Sequence, residues 1–183
     1  MADFDAWKAV FDANRQGRID HGFVGHHINR GEADPNELSV YLAAVDGPRA
    51  RAYLTSDELK ALMQRAGVVS PPQRTWLTPL RESIVWDRDL PAAMVSHTVA
   101  DLDRWLAGYD AAAEIQLAGG IIGHAANQVS DDPSRVVVYH QAESFDALRA
   151  FMGSPELQAG MQEAGVTSEP EIAFYTGGYA ERY

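Results

Sequence analysis

Four histidines are the side chains in this sequence whose type and spacing could do chemistry. His26 and His124 each directly follow a glycine and lie 98 residues apart, and His97 and His140 lie on either side of His124. A neutral imidazole can act as a general base or ligate a divalent metal or haem iron. It can also do no more than hydrogen-bond inside a folded core. All of these roles are open from the residues alone.

Composition and charge argue against several other kinds of site. The 183 residues include no cysteine, which excludes disulfides, thiolate metal sites and a cysteine nucleophile. The net charge of -11, with no cluster of Lys and Arg, argues against nucleic acid or an anionic membrane as a partner. There is no phosphate-binding loop, dinucleotide fingerprint or G-x-S-x-G motif, so we expect no cofactor. Without a signal segment or an apolar run of about 18 residues, we expect a cytoplasmic protein.

The sequence repeats itself at an offset of 98 residues. The matching segments are ADFDAWKAVFDA (2–13) with ADLDRWLAGYDA (100–111), HGFVGHHINRGEADPNELSVYLAA (21–44) with GGIIGHAANQVSDDPSRVVVYHQA (119–142), and RAYLTSDELKALMQRAGVVSPP (51–72) with RAFMGSPELQAGMQEAGVTSEP (149–170). Such self-similarity indicates two copies of one structural unit. We define residues 1–80 as copy one, residues 81–93 as a connector and residues 94–183 as copy two.

Each copy has a pattern that predicts strands and helices in a fixed order. A helix is predicted behind the N-cap Asp101, because apolar residues follow at helical spacing: Leu102, Trp105, Leu106 and Tyr109. A second helix is predicted to begin at Ser154-Pro155 and to end at Gly165. The predicted strands are 94–99, 120–127, 135–142 and 172–175 in copy two, and 22–29, 37–44 and 74–77 in copy one. The order β-α-β-β-α-β is that of a ferredoxin-like fold.

Copy one has no strand ahead of its first helix. In the connector, residues 83–87 have the sequence SIVWD, and we predict that this segment fills the missing place in copy one's sheet. Each sheet would carry helices on one face only, so the bare faces need cover. The predicted fold class is α+β: two tandem ferredoxin-like (βαββαβ) repeats packed sheet to sheet as an intrachain pseudo-dimeric α/β barrel.

The candidate site is predicted in copy two. The ferredoxin-like strand order, 4-1-3-2, makes the strands that carry His97, His140 and His124 neighbours, whereas copy one has Leu42 where copy two has His140. We predict these three histidines as catalytic base and orienting groups, with the Tyr139 hydroxyl donating a hydrogen bond from between sheet and helices. The alternating directions of strand side chains leave open whether the imidazoles converge.

Five further residues are predicted to line the substrate-binding region: Trp105, Tyr109, Asn127, His26 and Tyr41. The alternative for the aromatic residues is packing in the core, and the alternative for Asn127 is a turn-entry residue that bonds its own backbone. His21 and His27 have no histidine counterpart in copy two, and we predict that they are exposed.

Three stretches of copy two carry a resemblance to a known group of proteins. They are the V-x-H-x-V-x-D-x-D-x-W-x-x-x-Y-D run at 95–110, the G-x-x-G-H strand and the S-P-E-L-x-x-x-M-x-x-A-G-V helix. The sequence resembles the dimeric α/β-barrel superfamily, which includes the antibiotic biosynthesis monooxygenase-like proteins. The resemblance spans nearly the whole chain, once per copy. Its members include cofactor-independent oxygenases, haem-degrading enzymes, polyketide cyclases, isomerases and proteins without assigned activity, so fold does not decide the chemistry.

The resemblance and the histidines together lead to one prediction and two alternatives. The prediction is a small-molecule enzyme of the antibiotic biosynthesis monooxygenase-like type, in which histidine-assisted proton transfer acts on an apolar aromatic or polyketide-like substrate. The outcome would be cofactor-independent oxygenation, cyclisation or isomerisation. The first alternative is a non-catalytic module for ligand binding or oligomerisation, and the second is a histidine-ligated metal or haem protein. The substrate, the reaction and whether the chain forms a homo-oligomer stay open.

Overall fold

A computed structural model describes residues 1–183 as two compact units. Unit 1 comprises Met1–Gln73 and Gly178–Tyr183, and unit 2 comprises Arg74–Gly177. The α+β class and the tandem ferredoxin-like repeats are confirmed. The unit boundaries differ from the predicted copies, because the end of copy one belongs to unit 2 and the end of copy two belongs to unit 1.

Unit 1 has four helices and two complete strands. They are α1 (Phe4–Ala13), α2 (Arg15–Asp20), β1 (Phe23–Gly31), β2 (Leu38–Ala44), α3 (Gly47–Leu54) and α4 (Asp57–Arg65). Its sheet has the order β2-β1-β7, in which β7 (Glu171–Arg182) contributes its last residues. The second helical region predicted for each copy is thus a pair of short helices.

Unit 2 contains the remaining elements. They are β3 (Leu77–Ser83), β4 (Ala92–Thr98), α5 (Leu102–Ala111), α6 (Ala113–Ala118), β5 (Ile121–Val129), β6 (Asp132–Ala142), α7 (Phe145–Met152), α8 (Pro155–Glu163) and the first part of β7. Its sheet has the order β7-β4-β6-β5-β3, and the strand order predicted for copy two, 4-1-3-2, is confirmed. Every helix of the chain is too short or too polar to cross a bilayer.

The predicted helix ends are confirmed by their hydrogen bonds. The Asp101 carboxylate accepts from the backbone N–H of Arg104 at 2.7 Å, and the Ser154 hydroxyl accepts from the N–H of Leu157 at 3.2 Å. These contacts satisfy amide groups that the first helical turn leaves without partners. Gly165 adopts a φ of 83°, the left-handed conformation that favours glycine after a helix.

The proposed substitute strand at 83–87 is wrong. The strand in this region, β3, begins at Leu77 and ends at Ser83, and it pairs with β5 of copy two, where Ser83 faces His124. Residues 84–86 have no regular structure. The last residues of β7 lie beside β1 instead, and β2 forms the edge of the sheet, so the place that a first strand would take beside β2 is not filled. Hydrogen-bonded pairing between segments distant in sequence leaves no local signal, which is why the pattern alone did not reveal it.

One side of the unit 2 sheet packs against the helices and forms two apolar clusters. The first cluster is Val95, Val99, Trp105, Ala126, Val136, Val138 and Ala164, and the second is Ala93, Ile121, Ala142, Leu148 and Phe151. We call this side of the sheet the helix-facing side. Burial of these side chains stabilises the unit, at roughly 25 cal/mol for each Å² of apolar surface removed from water.

Gly123 interrupts the pairing of β5 with a bulge and makes room for a side chain on the opposite side of the sheet. The Gln141 side-chain amide accepts from the backbone N–H of Val85 at 2.9 Å and donates to the Val85 carbonyl at 3.2 Å. A Cβ atom on Gly123 would overlap the Gln141 amide oxygen and lie 3.2 Å from the Val85 nitrogen. The missing side chain therefore allows Gln141 to hold residues 84–86 beside the sheet.

We expect Gly123→Ala to lower the free energy of unfolding by about 1–3 kcal/mol, because the added methyl group collides with Gln141. The matched control is Gly160→Ala in α8, where a Cβ meets nothing within 4 Å. That control should raise stability by up to about 1 kcal/mol, since alanine favours helix more than glycine. Urea unfolding of both variants tests this. Equal effects of the two substitutions would contradict the role assigned to Gly123.

Candidate functional site

His97, His124 and His140 all lie on the helix-facing side of the unit 2 sheet. His140 on β6 pairs directly with His124 on β5 and with Ala93 on β4. Directly paired residues of antiparallel strands point to the same side, and residues an even number of positions apart on one strand do too. His97 lies four residues after Ala93, so it joins the other two. Three neighbouring strands thus present an imidazole each to the same layer.

His124 is held in place by Tyr109 from helix α5. The Tyr109 hydroxyl lies 2.8 Å from Nδ1 of His124, and the Gln116 side chain of α6 hydrogen-bonds the same hydroxyl. Trp105 stacks on the Tyr109 ring with centroids 5.3 Å apart. Burial raises the pKa of the Tyr109 phenol above its usual value, so the hydroxyl keeps its proton at neutral pH. This triplet of Gln116, Tyr109 and His124 orients the imidazole.

An ion pair lies near His124. Arg81 of β3 donates to both carboxylate oxygens of Asp110, at 2.9 and 2.7 Å. Burial lowers the pKa of His124 below its usual value, and the negative charge of Asp110 acts in the opposite direction. His124 is half-buried, so it is the histidine of the three that solvent can reach.

His97 and His140 are buried without any hydrogen-bond partner in the protein. Each is 5% exposed, and neither ring nitrogen of either residue is bonded. Trp105 lies against His97 with ring centroids 5.7 Å apart, and Phe151 lies edge-on against His140 at 5.4 Å. Burial lowers the pKa of His97 to about 4 and that of His140 to about 3. Both imidazoles are therefore neutral at pH 7.

Copy one builds a different arrangement around the equivalent histidine. The Tyr183 hydroxyl lies 2.8 Å from Nδ1 of His26, and Phe11 stands where copy two has Tyr109. The Phe11 ring meets the His26 ring edge-on at 4.9 Å. Burial, and to a lesser extent the charge of Arg18, lowers the pKa of His26 to about 4. A tyrosine hydroxyl thus meets the same imidazole nitrogen in both copies, although it comes from different parts of the chain.

Three predicted site residues lie on the other side of the sheets. Tyr139 pairs with Ala125 and Met94, so its side chain points away from the helices, and the position predicted for its hydroxyl between sheet and helices is wrong. Tyr41 pairs with His27 and likewise points away from His26. Asn127 is buried on that side and donates to the Val137 carbonyl at 3.4 Å rather than entering a turn.

The other predicted residues have mixed outcomes. Trp105 is buried in the apolar cluster and also touches His97, so core packing and contact with a site histidine coincide. The predicted exposure of His27 is wrong, since it is buried. His21 is half-buried, with Nδ1 2.6 Å from the Gly17 carbonyl and its ring stacked on Tyr53. The His21 ring thus has neighbours in unit 1 that the repeat alignment does not indicate.

The sequence did not indicate two buried polar residues of the helices that bond the tyrosine hydroxyls next to the histidines. Gln116 and Arg18 occupy equivalent positions in α6 and α2, and both are buried although polar. A polar residue at the same position of both repeats was the available signal. Tyr183 offered no such signal, because the residue at the equivalent position, 98 residues earlier in the connector, is Val85.

The histidines do not fit a metal ion or haem. Nowhere in residues 1–183 is there a group of three or more His, Asp or Glu side chains placed to hold a metal ion. Trp105 and Phe151 occupy the space beside His97 and His140 that a bound porphyrin would need, and Nδ1 of His124 is taken by Tyr109.

Comparisons with known proteins identify the fold. No protein-family model and no curated protein sequence matches the chain. An anthrone oxidase-like protein is similar at a TM-score of 0.68 and 14% identity, over 100% of this chain and 89% of that protein. A proposed monooxygenase from Lactobacillus acidophilus is similar at 0.63 and 9% identity, over 98% and 90% of the two chains. A haem-degrading enzyme from Listeria monocytogenes is similar at 0.51 and 9% identity, over 90% and 93%. These likenesses confirm the resemblance to monooxygenase-like proteins at the level of the fold.

We expect stability to fall as pH drops from 6.5 to about 4, since the unfolded chain then binds protons that folded His97 and His140 do not. His140→Leu, which introduces the residue of copy one, should reduce this loss by up to about 1.4 kcal/mol per pH unit within that window. At pH 7 the variant should be as stable as the natural chain or more stable, because a polar group without a partner leaves the core. Urea unfolding at several pH values measures both effects, and parallel pH profiles for the two proteins would contradict the buried neutral state of His140.

Proposed function

We propose that the chain is a small-molecule enzyme of the antibiotic biosynthesis monooxygenase-like type, with its working site in copy two. His124 removes a proton from an apolar aromatic or polyketide-like substrate, without a cofactor. The observation that carries the proposal is that His124, His140 and His97 share one side of the sheet, with His124 directly opposite His140, and that two of them are buried with unused hydrogen-bonding groups.

His124 suits the role of general base better than its neighbours. It is half-buried, whereas His97 and His140 are covered, and its ring is oriented through Nδ1. The base needs the tautomer in which Nδ1–H donates to the Tyr109 oxygen, because Nε2 then carries the free electron pair. When Nε2 takes a proton, the nearby charge of Asp110 favours the resulting imidazolium.

His140 and His97 suit the binding of two different polar atoms of the substrate, because they lie four residues apart along the sheet. A neutral imidazole offers one N–H donor and one acceptor, and none of these groups is used within the protein. Aromatic rings lie against them, Trp105 against His97 and Phe151 against His140. A donor in such surroundings stabilises developing negative charge on an enolate oxygen more strongly than a donor in water does.

The internal repeat supports an aromatic substrate. In copy one the Tyr183 ring packs beside His26, with centroids 5.6 Å apart. At the offset of 98 residues the equivalent of Tyr183 is Val85, whose backbone is bonded to Gln141 on the side of the sheet opposite His124. No tyrosine ring from that position therefore lies beside His124, and the aromatic ring of a substrate is the proposed occupant of that place.

Anthrone is a suitable probe, since it is apolar and aromatic and carries an acidic C–H group beside a conjugated carbonyl system. Removal of that proton by His124 gives a carbanion that is delocalised onto oxygen. The carbanion adds O₂, the proton returns to the oxygen adduct, and loss of water leaves anthraquinone. One anthrone and one O₂ therefore give one anthraquinone and one water.

We expect His124→Gln to lower the rate of anthraquinone formation by about a hundredfold to ten-thousandfold, the range for loss of a general base. Exchange of the acidic C–H for deuterium, followed under nitrogen, should fall by the same factor because it reports proton removal alone. Circular dichroism checks that the variant is folded. The matched control is His21→Gln in copy one. If folded His124→Gln exchanged the acidic C–H of anthrone as fast as the natural chain does, the proposal would be contradicted.

Tyr109→Phe copies the residue of copy one and removes only the hydroxyl that orients His124. We expect a loss of about 1 kcal/mol in stability. The rate of anthrone exchange should fall by at least about tenfold but by less than in His124→Gln, since the base remains but is no longer oriented. A rate equal to that of the natural chain would remove Tyr109 from the proposed mechanism.

One observation favours the non-catalytic alternative. Trp105 and Phe151 cover His97 and His140, so a substrate reaches these imidazoles only if the helices that carry the two aromatic residues move. A module that binds an aromatic ligand at the His124 end alone needs no such movement. Anthrone binding without exchange or oxidation would favour this second function.

A further inference from the structure

Unit 1 contains a buried polar cluster whose residues differ from those at the equivalent positions 98 residues away. Its members are Arg18 of α2, His26 of β1 and Tyr183 after β7, with Phe11 and Arg15 beside them. The Tyr183 oxygen accepts from Nε of Arg18 and lies 2.8 Å from Nδ1 of His26. At the offset of 98 residues, the equivalents of Arg18, Phe11 and Tyr183 are Gln116, Tyr109 and, in the connector, Val85.

Arg18 is a buried cation without a carboxylate partner. It is 3% exposed, its Nη1 donates to the Phe11 carbonyl, and its Nη2 is buried without any hydrogen-bond partner. The two acids whose charges act on His26 are already paired, Glu181 with Arg15 at 2.6 Å and Asp12 with Lys8 at 2.6 Å. A buried charge without a counterion is costly, so an anion here would be strongly favoured.

The Tyr183 ring occupies a slot that suits an electron-rich aromatic ring. The Arg15 and Arg18 guanidinium groups lie 5.0 and 5.4 Å from the ring centroid. The Tyr183 side chain also packs against the apolar cluster of Phe23, Ala50 and Tyr53. Cations attract the face of an aromatic ring, and an ionised hydroxyl group on that ring increases its negative charge.

We propose that copy one holds a second binding site, for an aromatic hydroxyl compound, and that the Tyr183 side chain occupies this site in the present structure. The ligand oxygen lies between Arg18 Nε and His26 Nδ1, and the ligand ring lies between the two guanidinium groups. Burial raises the pKa of the Tyr183 phenol above its usual value and Arg18 acts in the opposite direction, so the hydroxyl group here keeps its proton at neutral pH while it accepts from Arg18. Rotation of the half-buried Tyr183 side chain vacates the site while its backbone N–H stays bonded to the Val24 carbonyl at 2.9 Å.

This site is independent of the proposed reaction in copy two. It uses a guanidinium group that copy two lacks, and its members belong to unit 1, whereas His124, His140 and His97 belong to unit 2. Loss of anthrone exchange in copy two variants therefore leaves the binding of a phenol in copy one unaffected, and the two proposals can fail separately.

The test uses Tyr183→Ala in the full chain, with phenol and benzene as probes. In Tyr183→Ala the Cβ atom remains, and the ring with its hydroxyl group is removed. Phenol has the same ring and hydroxyl group, so its size matches the space that the substitution vacates. By calorimetry, we expect phenol to bind Tyr183→Ala at least about tenfold more tightly than benzene, and at least about tenfold more tightly than phenol binds the natural chain. Equal affinities of phenol and benzene would overturn the proposal.

Arg18→Gln in the Tyr183→Ala background introduces the residue that copy two has at the equivalent position. We expect the preference for phenol over benzene to fall below about threefold, because the charged donor is lost. The matched control, Arg49→Gln in the same background, removes an exposed arginine and should keep the full preference. A preference that survives Arg18→Gln would overturn the assignment of Arg18.

Should Tyr183→Ala fail to fold, the natural Tyr183 itself reports on the site. In Arg18→Gln alone, with ¹³C-labelled tyrosine, we expect the pKa of the Tyr183 phenol to rise by at least about one unit, since the guanidinium no longer stabilises the ionised form. An unchanged titration of Tyr183 would contradict the proposal as directly as equal ligand affinities.

Discussion

The register of β5 against β6 is the constraint on which the candidate site depends. His124 faces His140 because the two strands pair with this register and no other. Side chains alternate between the two sides of a strand, so a shift by one residue would send His124 to the opposite side and bring Ala125 or Gly123 to the helices. The bulge at Gly123 and the double hydrogen bond from Gln141 to Val85 both lie next to this pair and hold the register.

The two copies use one scaffold to surround an imidazole with different chemistry. In copy two the hydroxyl that orients His124 comes from Tyr109 on the neighbouring helix and is supported by the neutral amide of Gln116. In copy one the hydroxyl comes from Tyr183, and a charged guanidinium takes the place of the amide. In the proposed mechanism, the first arrangement leaves His124 free to accept a proton. The second holds an oxygen atom next to a positive charge.

The buried imidazoles cost stability, and this cost has a bearing on function. His97 and His140 give up hydrogen bonds to water and gain none within the protein, which an apolar side chain would avoid. Copy one has the apolar choice, Leu42, at the position of His140 and folds with the same strand pairing. The scaffold therefore does not need a histidine there. Buried polar groups that lower the stability of the protein, and that the fold does not need, are typical of sites that bind or convert a ligand.

The sequence alone was sufficient to predict the duplication, the helix caps at Asp101 and Ser154, and the strand order in which the three strands that carry histidines are neighbours. These features depend on local spacing and on a fixed offset, both of which are written along the chain. The exchange of β3 and β7 between the copies, the direction of Tyr139 and the meeting of Tyr183 with His26 were decided only by the tertiary structure. They depend on hydrogen bonds between segments far apart in sequence and on a register that alternates with every residue, so no local pattern carries them.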